Sequence, residues 1–199
     1  MNTSADRKKI DSRLVLVGVF ALFVAPVAIA MVWYWLAPSF APPPSPNGEL
    51  IDPPRPLEAF RVPLSNGDEL TLSDLRGRWQ LVQFVGGRCA PQCRERLYHT
   101  RQIRDALGED RSRVERVVVA EQGGATPGLA EIRERHPRLR IVEGRGGDPF
   151  VSQFPRPYTS VTVFLLDPLG NLVMRFGAGV DPSAVLDDLE HLLKLSRIG

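Results

Sequence analysis

The sequence is poor in cysteine, in histidine and in net charge. Its 199 residues include two cysteines and three histidines, and 25 basic against 23 acidic residues give a formal net charge of +2. So few cysteines exclude a disulfide-rich secreted domain, and so small a charge gives no electrostatic reason to expect a nucleic-acid partner. With 43% hydrophobic residues, the chain is neither collagen-like nor wholly disordered, and its length suits one domain with an appendage or two small domains.

Charged residues are missing from one long segment near the N-terminus. No Asp, Glu, Lys, Arg or His occurs at positions 14–48, and the sequence from Leu14 to Leu36 is almost uninterrupted apolar sequence. A helix of that length spans roughly 34 Å, enough to cross a bilayer core of about 30 Å. We therefore predict a transmembrane helix over residues 14–37.

The basic residues predict how this helix is oriented. Four of them precede it within residues 1–13, and none follows it until Arg55. The positive-inside rule then makes residues 1–13 a cytoplasmic tail and places the rest of the chain in the periplasm, as a single-pass protein of a bacterial inner membrane. A cleaved signal peptide is the alternative, because Ala28-Ile29-Ala30 resembles a cleavage site, but the apolar run exceeds the usual length of about 7 to 15 residues.

Proline is concentrated just after this segment. Residues 38–56 contain eight of the 18 prolines. Such sequence favours polyproline II, which rises about 3.1 Å per residue, so we predict a semi-rigid periplasmic stalk of up to roughly 55 Å. The alternative is that proline only keeps a linker from aggregating.

Residues 57–199 alternate strand and helix patterns, which indicates an α/β domain. Asn66-Gly67 predicts the turn of an early hairpin, and Asp181 with Pro182 predicts the start of a last helix. Strands are predicted at 58–62, 69–72, 80–85, 114–120, 139–142, 161–166 and 171–176, and helices at 91–107, 127–136 and 182–196. This order, with both cysteines at the first strand-to-helix turn, predicts a thioredoxin-like domain.

Cys89 and Cys93 are the residues most able to carry chemistry. Their spacing at a helix start puts them on one face about one turn apart, close enough for a disulfide or for two thiolates on one metal ion. The helix N-terminus and the neighbouring Arg88 and Arg94 would stabilise a thiolate. A purely structural bridge would close a loop of about five residues and contribute only about 2 kcal/mol, so a redox or metal role is the stronger hypothesis.

Three segments of the sequence resemble the SCO/SenC family of cytochrome c oxidase assembly proteins. They are the run of residues 72–85, the Cys-x3-Cys that follows it, and Phe164-Leu165-Leu166-Asp167-Pro168-Leu169-Gly170. The resemblance implies a membrane-anchored thioredoxin-like protein that binds copper through two cysteines and one histidine, or keeps thiols reduced at the binuclear copper centre of the oxidase. Cys89 and Cys93 would then be the sulfur ligands for Cu(I) or the redox pair.

The sequence departs from the family pattern at several positions. Thr159 stands where the family has its ligand histidine, so the third ligand is missing. Two further departures are Ala90-Pro91-Gln92 between the cysteines, with Arg94 after them, and Ala125-Thr126-Pro127 in the second strand-to-helix loop. No other histidine is a predicted substitute: we expect His99 on another helix face, His136 as a cation at a helix C-terminus and His191 in the last helix. The resemblance therefore implies copper as a cofactor, but the sequence has only two of the three ligands that the family uses.

Other thiol functions fit the sequence less well. A thioredoxin would have Cys-x-x-Cys and a cis-proline where this chain has Val161, and a peroxiredoxin would have threonine where it has Gly86. The arginine-rich stretch from 94 to 116 is predicted to be a solvated helix face, because acidic residues are interspersed in it.

We therefore predict a periplasm-facing protein that assists cytochrome c oxidase assembly. Its chemistry would be thiol–disulfide oxidoreduction or Cu(I) handling through Cys89 and Cys93, and no other enzyme activity is indicated. Its partner would be the oxidase subunit bearing the binuclear copper centre or another assembly factor. The alternative is a non-catalytic scaffold of the assembly machinery.

Overall fold

A computed structural model describes residues 12–40, 46–122, 125–144 and 148–196. The chain divides into two units, Met1–Ser45 and Pro46–Gly199. In the first unit, helix α1 covers Ser12–Phe40, and large apolar side chains between Leu16 and Trp33 are exposed. Over the described residues, no helix has both the length and the apolar character that crossing a membrane requires. The anchor and its orientation stay predictions, and most of the predicted cytoplasmic tail lies outside the described residues.

The second unit is built on a six-stranded mixed sheet and a small hairpin. Its strands are β1 (Glu49–Pro56), β2 (Arg61–Pro63), β3 (Glu69–Thr71), β4 (Trp79–Val85), β5 (Val114–Ala120), β6 (Arg140–Val142), β7 (Val163–Leu166) and β8 (Asn171–Phe176). The sheet order is β1-β8-β7-β4-β5-β6, and β2 pairs with β3. β5 is parallel to β4 and to β6, whereas the other pairs are antiparallel.

Helices connect these strands and cover the sheet. They are α2 (Leu72–Leu75), α3 (Pro91–Ala106), α4 (Leu129–Arg135) and α5 (Pro182–Leu195), with 3₁₀ turns at Gly108–Arg113 and Val151–Gln153. The Asp181 side chain accepts a hydrogen bond from the Ser183 amide at 2.8 Å and caps α5 as predicted. The predicted α/β architecture is confirmed.

Strand β1 corrects the predicted stalk. Residues 49–56 are not an extended tether but an edge strand of the sheet, with Leu50 opposite Met174 and Pro56 opposite Asn171. Proline lacks an amide N–H, and it is tolerated there because one side of an edge strand pairs with no other strand. The Asn47 and Gly48 amides also donate to the Asp188 carboxylate, at 3.2 and 2.9 Å. Residues 41–45 of the predicted stalk lie outside the described part of the chain.

The central strand β4 supplies both faces of the core. All seven of its residues are buried. Its side chains alternate between the faces, as strand geometry requires: Val82 and Phe84 pack into an aromatic-rich cluster, whereas Trp79 and Leu81 pack into the cluster beneath α5. The loop that follows β4 carries Cys89, and the first turn of α3 carries Cys93. The buried strand therefore fixes where the two cysteines lie.

Candidate functional site: the cysteine pair

The structure joins Cys89 and Cys93 in a disulfide. Cys89 lies in the loop between β4 and α3, and Cys93 lies in the first turn of α3, with 5.2 Å between their Cα atoms. Pro91 occupies the first turn of the helix, where its missing amide costs nothing. Of the two arrangements that the spacing allows, a disulfide or a pair of thiolates, the structure contains the disulfide.

The two cysteines differ in access. Cys93 has no exposed surface, whereas Cys89 keeps 3% of its surface exposed and lines a groove of about 260 Å³ between the starts of α3 and α4. The other residues of this Cys89 groove are Arg88, Arg94, Pro127, Gly128, Glu131 and Ile132. Any nucleophile entering the groove therefore meets Cys89 first.

Charge in the groove comes from Arg88 and Arg94, which flank the pair, and from Glu131, which forms an ion pair with Arg135 at 3.2 Å. Arg94 donates a hydrogen bond to the Cys89 carbonyl at 2.9 Å, which fixes its guanidinium beside the loop. Arg88 is exposed. A thiolate formed at Cys89 would have both cations and the N-terminus of α3 near it, an arrangement that favours the charged form.

Gln83 connects the cysteine helix to the loop before β7. Its buried side-chain amide donates to the Ser160 carbonyl at 2.6 Å and approaches the Cys93 carbonyl at 3.5 Å. A glutamine in a fully buried strand is a signal of such a role, because buried polar groups need partners.

Thr159 does not act as a substitute ligand. It is exposed, its amide donates to the Thr162 hydroxyl at 3.0 Å, and the two hydroxyls are 3.3 Å apart. Within the described residues, no group of three His, Cys, Asp or Glu side chains is placed to hold a metal ion.

Glu121 forms a polar cluster behind the cysteine loop that sequence patterns gave no reason to expect. Its carboxylate accepts hydrogen bonds from the Tyr158 hydroxyl at 2.7 Å and from Arg156 at 3.3 Å. Burial, and then the bond to Glu121, raises the pKa of Tyr158 above its usual range. A Cβ on Gly86 would lie 2.6 Å from a Glu121 carboxylate oxygen, so glycine at this position admits the carboxylate.

Two arginines contradict their predicted solvated positions, and one histidine contradicts its predicted positive charge. Arg96 is buried and donates to the carbonyls of Gly177, Ala178 and Val180 at 3.1 to 3.3 Å. Arg116 is also buried. His136 is not a cation: burial, and then the charges of nearby arginines, lowers its pKa to about 4. The local pattern of acids and bases could not show which side chains the tertiary fold covers.

The remaining histidines lie away from the Cys89 groove. His99 is half-buried and lines a separate groove with Val161 and Pro182, and His191 is exposed on α5. His99 therefore lies on another face of α3 from the Cys89 groove, as its position along the helix predicted.

A family model described as "Transmembrane-like, thioredoxin-like, C-terminal domain" matches residues 79–196. That range includes the cysteine loop and every strand from β4 to β8. The thioredoxin-like fold predicted from the element order is thereby confirmed.

A curated relative comes from Halalkalibacterium halodurans and is described as a glutathione peroxidase homolog, BsaA. It is 25% identical over 158 residues, which are 69% of this chain and 99% of the relative.

Solved structures of Sco proteins share the fold. Yeast Sco1 with copper bound is 19% identical, with a TM-score of 0.58 over 72% of this chain and 91% of its own. BsSco, a member of the Sco family of cytochrome c oxidase assembly proteins in which a disulfide switch was identified, is 12% identical, with a TM-score of 0.54 over 72% and 96% of the two chains.

Proposed function

Because the chain belongs to the family of transmembrane-like, thioredoxin-like C-terminal domains, we propose that it is a membrane-anchored thiol–disulfide protein that assists cytochrome c oxidase assembly. The observation that carries the proposal is the Cys89–Cys93 disulfide between β4 and α3, with one sulfur beneath a groove and the other fully buried. The Sco proteins that share the fold support the choice of partner, a subunit with copper-ligand cysteines or another assembly factor.

The exchange reaction follows from the different access of the two cysteines. In the reduced chain, the Cys89 thiolate attacks one sulfur of a partner disulfide, forming a mixed disulfide and releasing the partner's other sulfur as a thiolate. The Cys93 thiolate then attacks the Cys89 sulfur, closes the internal disulfide and releases the second partner thiolate. Two electrons pass to the partner, and the two protons of the cysteine thiols end on the partner's thiols.

Location in the periplasm of a bacterial inner membrane is part of the proposal. Its support is the uncharged segment 14–48, which has four basic residues directly before it and none after it until Arg55, together with a disulfide of the kind that an oxidising compartment maintains.

Copper fits this site poorly. Thr159 occupies the position of the family's ligand histidine, and its hydroxyl lies 3.3 Å from the Thr162 hydroxyl. The third ligand of a Cys2His site is therefore missing. The bridged cysteines also offer no thiolate. Once reduced, two thiolates could still carry Cu(I) as cargo, and Cu(I) competition against a chromogenic chelator tests this possibility on the reduced full chain.

Peroxide reduction is a second candidate, favoured by the relative described as a glutathione peroxidase homolog. The Cys89 thiolate would attack one peroxide oxygen and break the O–O bond, so that the other oxygen leaves as water or an alcohol after taking a proton and Cys89 becomes a sulfenic acid. The Cys93 thiol would then condense with the sulfenic acid to give the disulfide and a molecule of water. Hydrogen peroxide added to the reduced chain distinguishes the candidates: a rapid stoichiometric oxidation that needs both cysteines favours the peroxidase.

A redox titration of the full chain in detergent tests the main proposal. After equilibration in thiol–disulfide buffers, free thiols are alkylated and counted. We expect one reversible two-electron transition at a potential above about −300 mV. Structural disulfides have reduction potentials below this value. A pair that is still a disulfide in buffers more reducing than about −300 mV is a structural bridge, and this result would overturn the redox function.

A further inference from the structure

A pocket of about 320 Å³ between the C-terminal half of α3 and residues 136–138 is lined mainly by arginines, and it shares no lining residue with the Cys89 groove. We call it the arginine pocket; its lining residues are Arg101, Arg104, Arg116, Arg138, His136 and Asp105, with Pro137. Asp105 is its one acidic side chain. None of these arginines takes part in an ion pair within the described residues, so the pocket holds a large excess of positive charge.

Arg116 is the most unusual member. Only 6% of its surface is exposed, and its hydrogen bonds go to neutral acceptors, the Thr100 hydroxyl at 3.2 Å and the Leu97 carbonyl at 2.7 Å. Burial, and then repulsion from Arg101 and Arg104, lowers its pKa to about 10, so it is still charged near pH 7. A buried charge is costly unless it is compensated. Asp105 offsets the charge of Arg116 less than Arg101 and Arg104 oppose it, so an anion in the pocket would complete the compensation.

Two other arginines are already held in place. Arg104 donates to the Val114 carbonyl at 2.6 Å, and Arg101 donates to the Arg135 carbonyl at 3.2 Å. Each has further N–H groups, and a guanidinium fixed in this way loses little entropy when it binds a ligand. The planar fork of arginine suits tetrahedral oxyanions such as phosphate.

His136 adds a second observation that points to a ligand. It is 8% exposed, and its Nδ1 has no hydrogen-bond partner within the described residues. Buried imidazole nitrogens are normally satisfied. A neutral imidazole that carries its single proton on Nδ1 could donate a hydrogen bond to an anion beside the ring.

We propose that the arginine pocket binds a phosphate-type oxyanion, either free phosphate or the phosphate of an anionic lipid headgroup. The site is separate from the cysteine pair, so it does not rest on the proposed function. The ligand would add to the partial compensation that Asp105 gives Arg116 and would provide a hydrogen-bond acceptor for His136.

Titration of the full chain with inorganic phosphate at constant ionic strength tests the proposal. The chain is held in neutral detergent, binding is followed by calorimetry, and the His136 ring is followed by NMR. We expect saturable binding that shifts the His136 signals. Arg138 is exposed and forms no side-chain hydrogen bond or ion pair with another described residue, so Arg138→Gln should weaken binding by about tenfold or more without disturbing the fold. Arg61→Gln, which removes an exposed arginine of β2, is the matched control and should leave binding unchanged.

The outcomes are distinct. Absence of saturable binding, or equal weakening by Arg138→Gln and Arg61→Gln, would overturn the proposal. Repeating the titration in nanodiscs identifies the source of the phosphate. If phosphatidylglycerol abolishes phosphate binding and phosphatidylcholine does not, the pocket binds an anionic headgroup. If neither lipid competes, the pocket binds free phosphate.

Discussion

The side-chain amide of Gln83 donates a 2.6 Å hydrogen bond to the carbonyl of Ser160. The same nitrogen approaches the Cys93 carbonyl at 3.5 Å. One buried side chain on the central strand therefore holds the cysteine helix and the loop before β7 in register. That loop carries Thr159, at the position where the SCO/SenC resemblance implies a ligand.

Replacing Gln83 by methionine should destabilise the protein by about 1 to 3 kcal/mol, because the Ser160 carbonyl loses its donor in a buried place. Denaturant unfolding measures this free energy. Gln122→Met is the control, since Gln122 is exposed and its 3.3 Å bond to Gly86 can be replaced by water; we expect a change within about 0.5 kcal/mol. Equal effects of the two substitutions would contradict the role given to Gln83.

Two adjacent glycines provide a matched pair at the cysteine loop. In Gly86→Ala the new methyl group would lie 2.6 Å from the Glu121 carboxylate, whereas in Gly87→Ala the nearest atom is 4.0 Å away. Gly86→Ala should cost about 1 kcal/mol and displace the Tyr158 hydrogen bond, because the carboxylate must move. Gly87→Ala should have little effect. Thermal unfolding of both variants measures the difference, and a larger loss for Gly87→Ala would be inconsistent with this packing.

Arg96 anchors the loop before α5 to α3. Arg96→Met removes the donor from three carbonyl groups and should cost about 3 kcal/mol. Arg111→Met, at an exposed position, is the control and should change stability by less than about 0.5 kcal/mol. The measurement is urea unfolding, and an Arg96 variant as stable as the control would show that solvent replaces these bonds.

Acid should destabilise the chain through His136. Its pKa is about 4 in the folded protein and about 6.5 when unfolded, so the unfolded state binds the proton more readily. The contribution is fully present above about pH 6.5 and is lost as the pH falls towards 4, by roughly 2 kcal/mol. The charged groups that line the two pockets beside the ring are Arg94, Arg101, Arg104, Arg116, Arg135, Arg138, Asp105 and Glu131.

Unfolding free energies measured between pH 4 and 7 test this effect. His136→Asn should flatten the dependence in that window, and His191→Asn, at an exposed site on α5, should leave it as in the parent chain. A parent chain whose stability does not change between these limits would refute the shifted pKa.

Local patterns predicted most of the fold. β5 matches its predicted residues, because the consecutive apolar residues 117–120, three of them valines, favour a buried strand. β1 was missed because its prolines are typical of a linker, and only pairing with β8 makes it a strand. The cysteine pair was predictable from spacing. The positions of Arg96, Arg116 and His136 were not, because contacts between distant segments bury them.

Trapping of mixed disulfides in intact cells tests the central claim most directly. The full-length Cys93→Ser chain keeps Cys89 but cannot resolve the exchange. It should accumulate a reductant-sensitive adduct with its partner, an oxidase subunit or assembly factor, whereas Cys89→Ser should form none. Adducts through Cys93 alone, or none with either variant, would contradict a function based on attack by Cys89.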